Sequence, residues 1–288
     1  MSLFDTGIRP AIDDYLQKKA AEKRDYGKYW SASSAGYCLR LNTLKRLNVP
    51  CVPEIAQDEA RSTRVFEVGH LFHEWMQRIT KDAELSVAQE LELQDEELLI
   101  RGHFDDLVLV THEFTDPGGY TTDEDYLILY DYKTANSQSF NYKRDEIGHY
   151  HKMQLGTYLH MLRNFDVQKN YVSGNVLVNG RVTQGQLHSL SEARILQISK
   201  DDLRMREQQL MWTPALKREV VDYWTALNDY WNRKVLPPCT CLDHDGGFMG
   251  KRSKKGKVYN NFYFNDEPCS IKWVKQHKEL LKGWKVER

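Results

Sequence analysis

YLILYDYKT, running from Tyr126 to Thr134, is the stretch on which the reading of this chain turns. An apolar run ends in an aspartate and a lysine two positions apart, Asp131 and Lys133. Side chains alternate along a strand, so Asp131 and Lys133 share one face while Tyr130 and Tyr132 take the other. An ion pair capping a strand end is the plain explanation of any single D-x-K. Whether it is more depends on what the rest of the chain brings to the same face.

Immediately upstream, LLIRGHFDDLVLVTHEF (Leu98 to Phe114) reads as one long strand, and DPGGYTTDED (Asp116 to Asp125) is rich in turn formers. Together with YLILYDYKT these predict two antiparallel strands joined by a hairpin. VAQELELQD (Val87 to Asp95) alternates and predicts a further strand. Before it the chain reads helical to about Asp82: AIDDYLQKKAAEKRDY, CLRLNTLKRLNV and RSTRVFEVGHLFHEWMQRITKD carry helix formers or apolar residues at helical spacing. After it, EIGHYHKMQLGTYLHMLRNF suits a mostly buried helix. YVSGNVLVNG and RVTQGQLHSL predict two strands turning at Asn179 and Gly180, and Ile195 to Arg233 predicts helix interrupted near Pro214.

The expected architecture is therefore α/β, a mixed central sheet flanked by helices. Three regions are expected: an N-terminal helical region (1–82), a core (83–236) and a loop-rich C-terminal tail (237–288) that carries cysteines and basic residues.

Composition bounds the possibilities. At 288 residues with 41% apolar content the chain can fill a proper core, and its net charge of −1 means that attraction to phosphate must come from local patches. No stretch approaches the roughly 20 apolar residues that span a bilayer, and no basic start leads into an apolar leader, so a soluble cytoplasmic protein without membrane contact is expected. Five cysteines, an odd count, fit free thiols or a metal site better than a secreted disulfide framework.

Polar residues interrupt the apolar pattern at a second place close to Asp131. Asp105 and Asp106 sit ahead of Leu107, Val108 and Leu109 on the strand expected to pair with YLILYDYKT, and a carboxylate there is costly unless satisfied. Carboxylates from neighbouring strands supply hard oxygen ligands suited to magnesium or manganese, with a lysine beside them.

With these residues the chain resembles the PD-(D/E)xK nucleases, and among them the RecB-like exonucleases. The elements of that pattern read, in order, G-H-L-F-H at Gly69 to His73, G-H-F-D at Gly102 to Asp105, D-Y-K at Asp131 to Lys133, and Q-L-G-T-Y at Gln154 to Tyr158. The resemblance covers about Ser31 to Tyr158. It implies a restriction-endonuclease-like sheet in which Asp105, Asp131 and Lys133 are catalytic. Asp105, Asp131 and the Tyr132 main-chain carbonyl would ligate magnesium or manganese, and His73 would bind metal or steer the acids. Lys133 would position the attacking water; Gln154 and Tyr158 would contact DNA or brace the site. The glycine spacing selects His73 over His70, the G-x-x-D register selects Asp105 over Asp106, and Glu90 is a further acid on the preceding strand. The acid of the D-x-K element is aspartate where some members carry glutamate, which shortens its reach by a methylene.

Some RecB-like nucleases also hold a four-iron four-sulfur cluster. SASSAGYCLRLNTLKRL resembles their first-cysteine segment, which would make Cys38, Cys239, Cys241 and Cys269 the thiolate ligands. The downstream spacing, C-x-C and then a distant Cys269, departs from their compact trio. Zinc on the same four thiolates, or with His244 in place of one, and unligated buried cysteines stay open as alternatives. In GKRSKKGKVYNNFYF, five basic side chains, among them Lys251, Arg252, Lys254 and Lys255, mix with four aromatics, a composition able to grip a single strand of DNA.

The resulting expectation is a metal-dependent DNA exonuclease in recombination, repair or replication, acting on ends or single strands, with partner proteins from those processes. The lack of helicase motifs hints at phage or mobile-element biology. A non-catalytic DNA-binding subunit and a structural metal protein are the competing expectations.

Overall fold

The computed structural model describes residues 8–21, 27–49, 59–115, 118–142, 146–165, 182–238 and 279–286. In chain order these form α1 (Ile8–Ala21), β1 (Trp30–Ser31), α2 (Leu39–Arg46), α3 (Glu59–Asp82), β2 (Ser86–Gln89), β3 (Glu92–Asp95), β4 (Ile100–His103), β5 (Asp106–Thr115), β6 (Thr121–Ala135), α4 (Ser137–Tyr142), α5 (His149–Arg163), α6 (Gln184–Ser189), β7 (Glu192–Ser199), β8 (Met205–Met211), α7 (Pro214–Asn232), β9 (Val235–Leu236) and β10 (Lys285–Val286). The class is α/β, as the sequence predicts.

Two compact units divide the chain. The first comprises Lys28–Gly36 and Leu71–Ala226. Its main sheet has the order β2-β5-β6-β7-β8. The β5–β6 hairpin is the expected one, running antiparallel from Asp106 opposite Tyr130 to Thr115 opposite Thr121. β6 is the centre of this sheet, and Leu127, Ile128 and Leu129 are all buried, the signature of a strand covered on both faces. On one face Met76 of α3 packs with Tyr132, Leu196 and Ile198, flanked by Phe72, Trp75 and Tyr130. α5 packs against β6 and β7. A smaller sheet, β1-β4-β3, belongs to the same unit.

The second unit comprises Met1–Gly27, Tyr37–His70 and Leu227–Arg288. Here the buried Arg40 donates through Nε to the Pro237 carbonyl at 2.5 Å. The Arg46 guanidinium stacks 4.2 Å over Trp231, which meets Trp284 edge-on. Units cut at 70/71 and 226/227 differ from boundaries at 82 and 236. A boundary drawn where the hydrophobic period changes cannot see that the second half of α3 packs on the sheet of the first unit.

Four local expectations are corrected. Leu98 to Phe114 is two strands in two sheets, β4 and β5, broken at Phe104 and Asp105. Val87 to Asp95 likewise breaks into β2 and β3 at Glu90, whose backbone takes a left-handed φ of +48°. RVTQGQLHSL forms no strand: Thr183 and Gln186 make a reciprocal capping box that starts α6. Ile195 to Met211 is β7 and β8, with helix beginning only at Pro214. Helix propensities in ILQISKDDLRMREQQLM are each worth under about 1 kcal/mol. Seven residues of β7 in register with β6, burying Ile195 and Ile198, outweigh them. The expected strand at Tyr171 to Gly180 and its Asn179–Gly180 turn lie outside the described residues.

Candidate active site

The break between β4 and β5 sets the site. β5 begins with Asp106 opposite Tyr130, and Asp105, just ahead of the strand, turns its side chain the opposite way to the Tyr132 amide beside Asp131. Asp106 therefore points to the other face, where it is wholly buried. There Oδ1 accepts from Ser86 at 2.6 Å, and Oδ2 accepts from Thr80 at 2.5 Å, Tyr132 Oη at 2.8 Å and Gln89 at 3.3 Å. Its hydrogen-bonding capacity is taken up by the fold. The register that selected Asp105 over Asp106 agrees with this division.

Asp105 and Asp131 are in a different condition. Asp105 Oδ2 accepts the Tyr132 amide N–H at 2.6 Å, and His73 Nδ1 lies 3.5 Å from the same oxygen. Burial, then the negative charge of Asp131, push the Asp105 carboxyl up to about 8; Lys133 and the Tyr132 amide pull the other way and are outweighed. Asp131 is 2% exposed. Lys133 Nζ lies 2.8 Å from each of its carboxylate oxygens, with hydrogen-bond geometry at Oδ1. Oδ1 also receives Gln154 Nε2 at 3.2 Å. Oδ2 is shut off from solvent and accepts no hydrogen bond among the described residues.

Two acids thus lie close enough for the charge of Asp131 to raise the Asp105 carboxyl, with the Lys133 ammonium paired to both oxygens of Asp131. The donor set, carboxylate oxygens with a lysine and an imidazole alongside, fits a hard divalent ion. Among the described residues no cluster of three or more His, Cys, Asp or Glu side chains closes into a ready cage, so the carboxylate pair would be the anchor of such an ion.

The remaining expected residues fall as follows. Gln154 reaches the site from α5; Tyr158, one turn on, is buried, and its ring lies 3.2 Å from where a Cβ on Gly102 would stand. Its position is that of a brace against β4 at Gly102 rather than an exposed DNA contact. At Tyr132 the hydrogen bond to Asp105 comes from the amide, whereas the expectation concerned the carbonyl. His70 is exposed, 3.5 Å from Glu67. Glu90 is exposed at the left-handed corner, and its charge adds to the upward push on Asp105. Cys38 is buried at the N-cap of α2, while Cys239, Cys241, Cys269, Lys251, Arg252, Lys254 and Lys255 lie outside the described residues.

Residues that support the site without appearing in any of the four motifs are Gln77, Thr80, Ser86 and Gln89. Gln77 and Thr80 follow His73 at spacings of four and seven, hence on its helical face, which is the one signal that pointed to them.

No protein-family model matches this chain, and no curated protein matches it. A solved structure described as "Crystal structure of SSO0001" is similar to it with a TM-score of 0.44 and 15% identity, over 80% of this chain and 93% of that one. No helix among the described residues is long and apolar enough to cross a membrane.

Proposed function

We propose that the protein is a metal-dependent deoxyribonuclease with the restriction-endonuclease-like core and active site of the RecB-like PD-(D/E)xK enzymes. The observation that carries this reading is the juxtaposition of a buried Asp131, ion-paired to Lys133, with an Asp105 whose carboxyl is pushed up by burial and by Asp131. Asp105, Asp131 and the Tyr132 carbonyl would hold magnesium or manganese, with His73 steering Asp105. When bound, such an ion lowers the pKa of its water and neutralises charge on the scissile phosphate.

The chain's own residues do the rest. Gln154 and Lys133 fix the Asp131 carboxylate, and the same ammonium orients a water for in-line attack on phosphorus. The Tyr132 amide fixes Asp105. Digestion from DNA ends or along single strands, in recombination, repair or replication, is the setting that the resemblance to exonucleases favours. For an iron-sulfur cluster, the support is local: the Arg40 bond to Pro237 joins α2, which Cys38 caps, to the segment leading into Cys239.

The test is direct. Purified protein with linear and circular, single- and double-stranded DNA should degrade linear substrate with magnesium or manganese and not with chelator. Lys133→Ala should lower the rate on the order of 10²–10⁴-fold while leaving the fold intact. Cleavage by Lys133→Ala at the wild-type rate would remove the proposed site; binding of DNA without any cleavage would favour a non-catalytic subunit.

A further inference from the structure

We infer that Gln77 is a positioning residue for the acidic pair, acting through the Asp105 backbone; this rests on the nuclease reading above and deepens it. Gln77 lies on α3 one turn after His73. Its Nε2 donates twice, to Glu90 Oε1 at 2.9 Å and to the main-chain carbonyl of Asp105 at 3.1 Å. A primary amide carries two N–H groups, so both bonds form at once. The same residue's carbonyl accepts from Gln89 Nε2 at 2.6 Å, so helix and strand end are tied in both directions.

The corner held in this way is the one that needs holding. Asp105 stands in the break between β4 and β5, outside both strands, where no sheet ladder fixes its peptide. Its carbonyl has one other backbone donor, the Glu90 N–H, at a long 3.4 Å. Glu90 itself is left-handed, a conformation that costs a side-chain-bearing residue on the order of 1–2 kcal/mol. Without the Gln77 amide the Asp105 peptide keeps only the long bond, and Glu90 is released from the corner. With its side chain still held at the Tyr132 amide but its main chain loosened, the Asp105 carboxylate changes orientation relative to Asp131, and two carboxylates that grip a divalent ion tolerate little such drift. Residues that orient metal ligands in this way typically change affinity or activity about 10–100-fold when removed.

Gln77→Met keeps length and shape and removes both donors. Direct titration with Mn²⁺, followed by calorimetry or electron paramagnetic resonance, should give a Kd raised about 10-fold. Cleavage should show a lower kcat at limiting Mn²⁺, partly restored at high Mn²⁺, with KM for DNA unchanged. The metal-free melting temperature should stay within a few degrees of wild type, and Gln77→Ala should behave alike in all these measurements. If wild type binds Mn²⁺ and cuts DNA while both variants match its Kd and kcat, this inference falls and the nuclease reading stands. Lowered melting with unaltered Mn²⁺ affinity assigns Gln77 to stability alone and also overturns it. A wild type that neither binds Mn²⁺ nor cuts overturns both.

Discussion

Asp106 spends its carboxylate on Ser86, Thr80, Gln89 and Tyr132, whereas Asp105, one residue earlier, is held protonated up to about 8 by burial and by Asp131. The two acids are linked through Tyr132, whose hydroxyl donates to Asp106 and whose amide donates to Asp105. A satisfied carboxylate on one face of the sheet thereby stiffens the residue whose amide holds Asp105. The sign of the Asp105 contribution follows from its raised pKa. An unfolded aspartate loses its proton near pH 4, while the folded one keeps it to about 8, so the folded state binds more protons in that window and stability falls as pH rises through it. Metal-free wild type should therefore have a lower urea midpoint at pH 8.5 than at pH 5.5, and Asp105→Asn, which is neutral throughout, should narrow that difference. Parallel pH profiles for the two proteins would show that Asp105 does not sit in this environment. The motif register distinguishes Asp105 from Asp106 in the sequence; the four donors that satisfy Asp106 come from α3, β2 and β6 and have no local signature.

At the scale of elements, the site depends on how closely α5 and the β4 strand can approach their neighbours. A Cβ on Gly102 would stand 2.7 Å from the Ala32 Cβ and 3.2 Å from the Tyr158 ring, and Ala32 has no flexible end to move aside. Gly102→Ala should lower stability by about 1–3 kcal/mol, seen as a reduced urea midpoint at unchanged slope, and should shift Asp105 three residues on. Wild-type stability in that variant would mean that the strand has room that its geometry denies. One turn along α5, Trp224 of α7 donates to Thr157 at 3.0 Å, so the helix that delivers Gln154 is anchored close to it. The hairpin of β5 and β6 and the helices α2, α3 and α5 were legible because their apolar periods are long and unambiguous. β7 and β8 were not. Ala193, Ile195 and Ile198 match a helical stripe as well as a strand, and only pairing with β6 decides.

For the whole chain, a bound ion should act as a folding ligand. If Asp105 and Asp131 hold Mn²⁺ in the native state alone, free Mn²⁺ at 100 times its Kd adds about 2.7 kcal/mol to stability. The melting temperature should rise with Mn²⁺, return with chelator, and fail to respond in Asp131→Asn. A rise of equal size in that variant would move the ion elsewhere. With a net charge of −1, no general polyelectrolyte attraction to Mn²⁺ competes with this local effect. The sequence by itself determined the α/β class and the central hairpin, and singled out the candidate acids, lysine, histidine and glutamine, because apolar period and short motifs are written along the chain. Tertiary structure alone decided that Asp105 falls in a break between two sheets, that Asp106 is consumed by internal hydrogen bonds, and that Gln77 grips the corner. Those outcomes depend on contacts between residues far apart in sequence, whose energies no local pattern encodes.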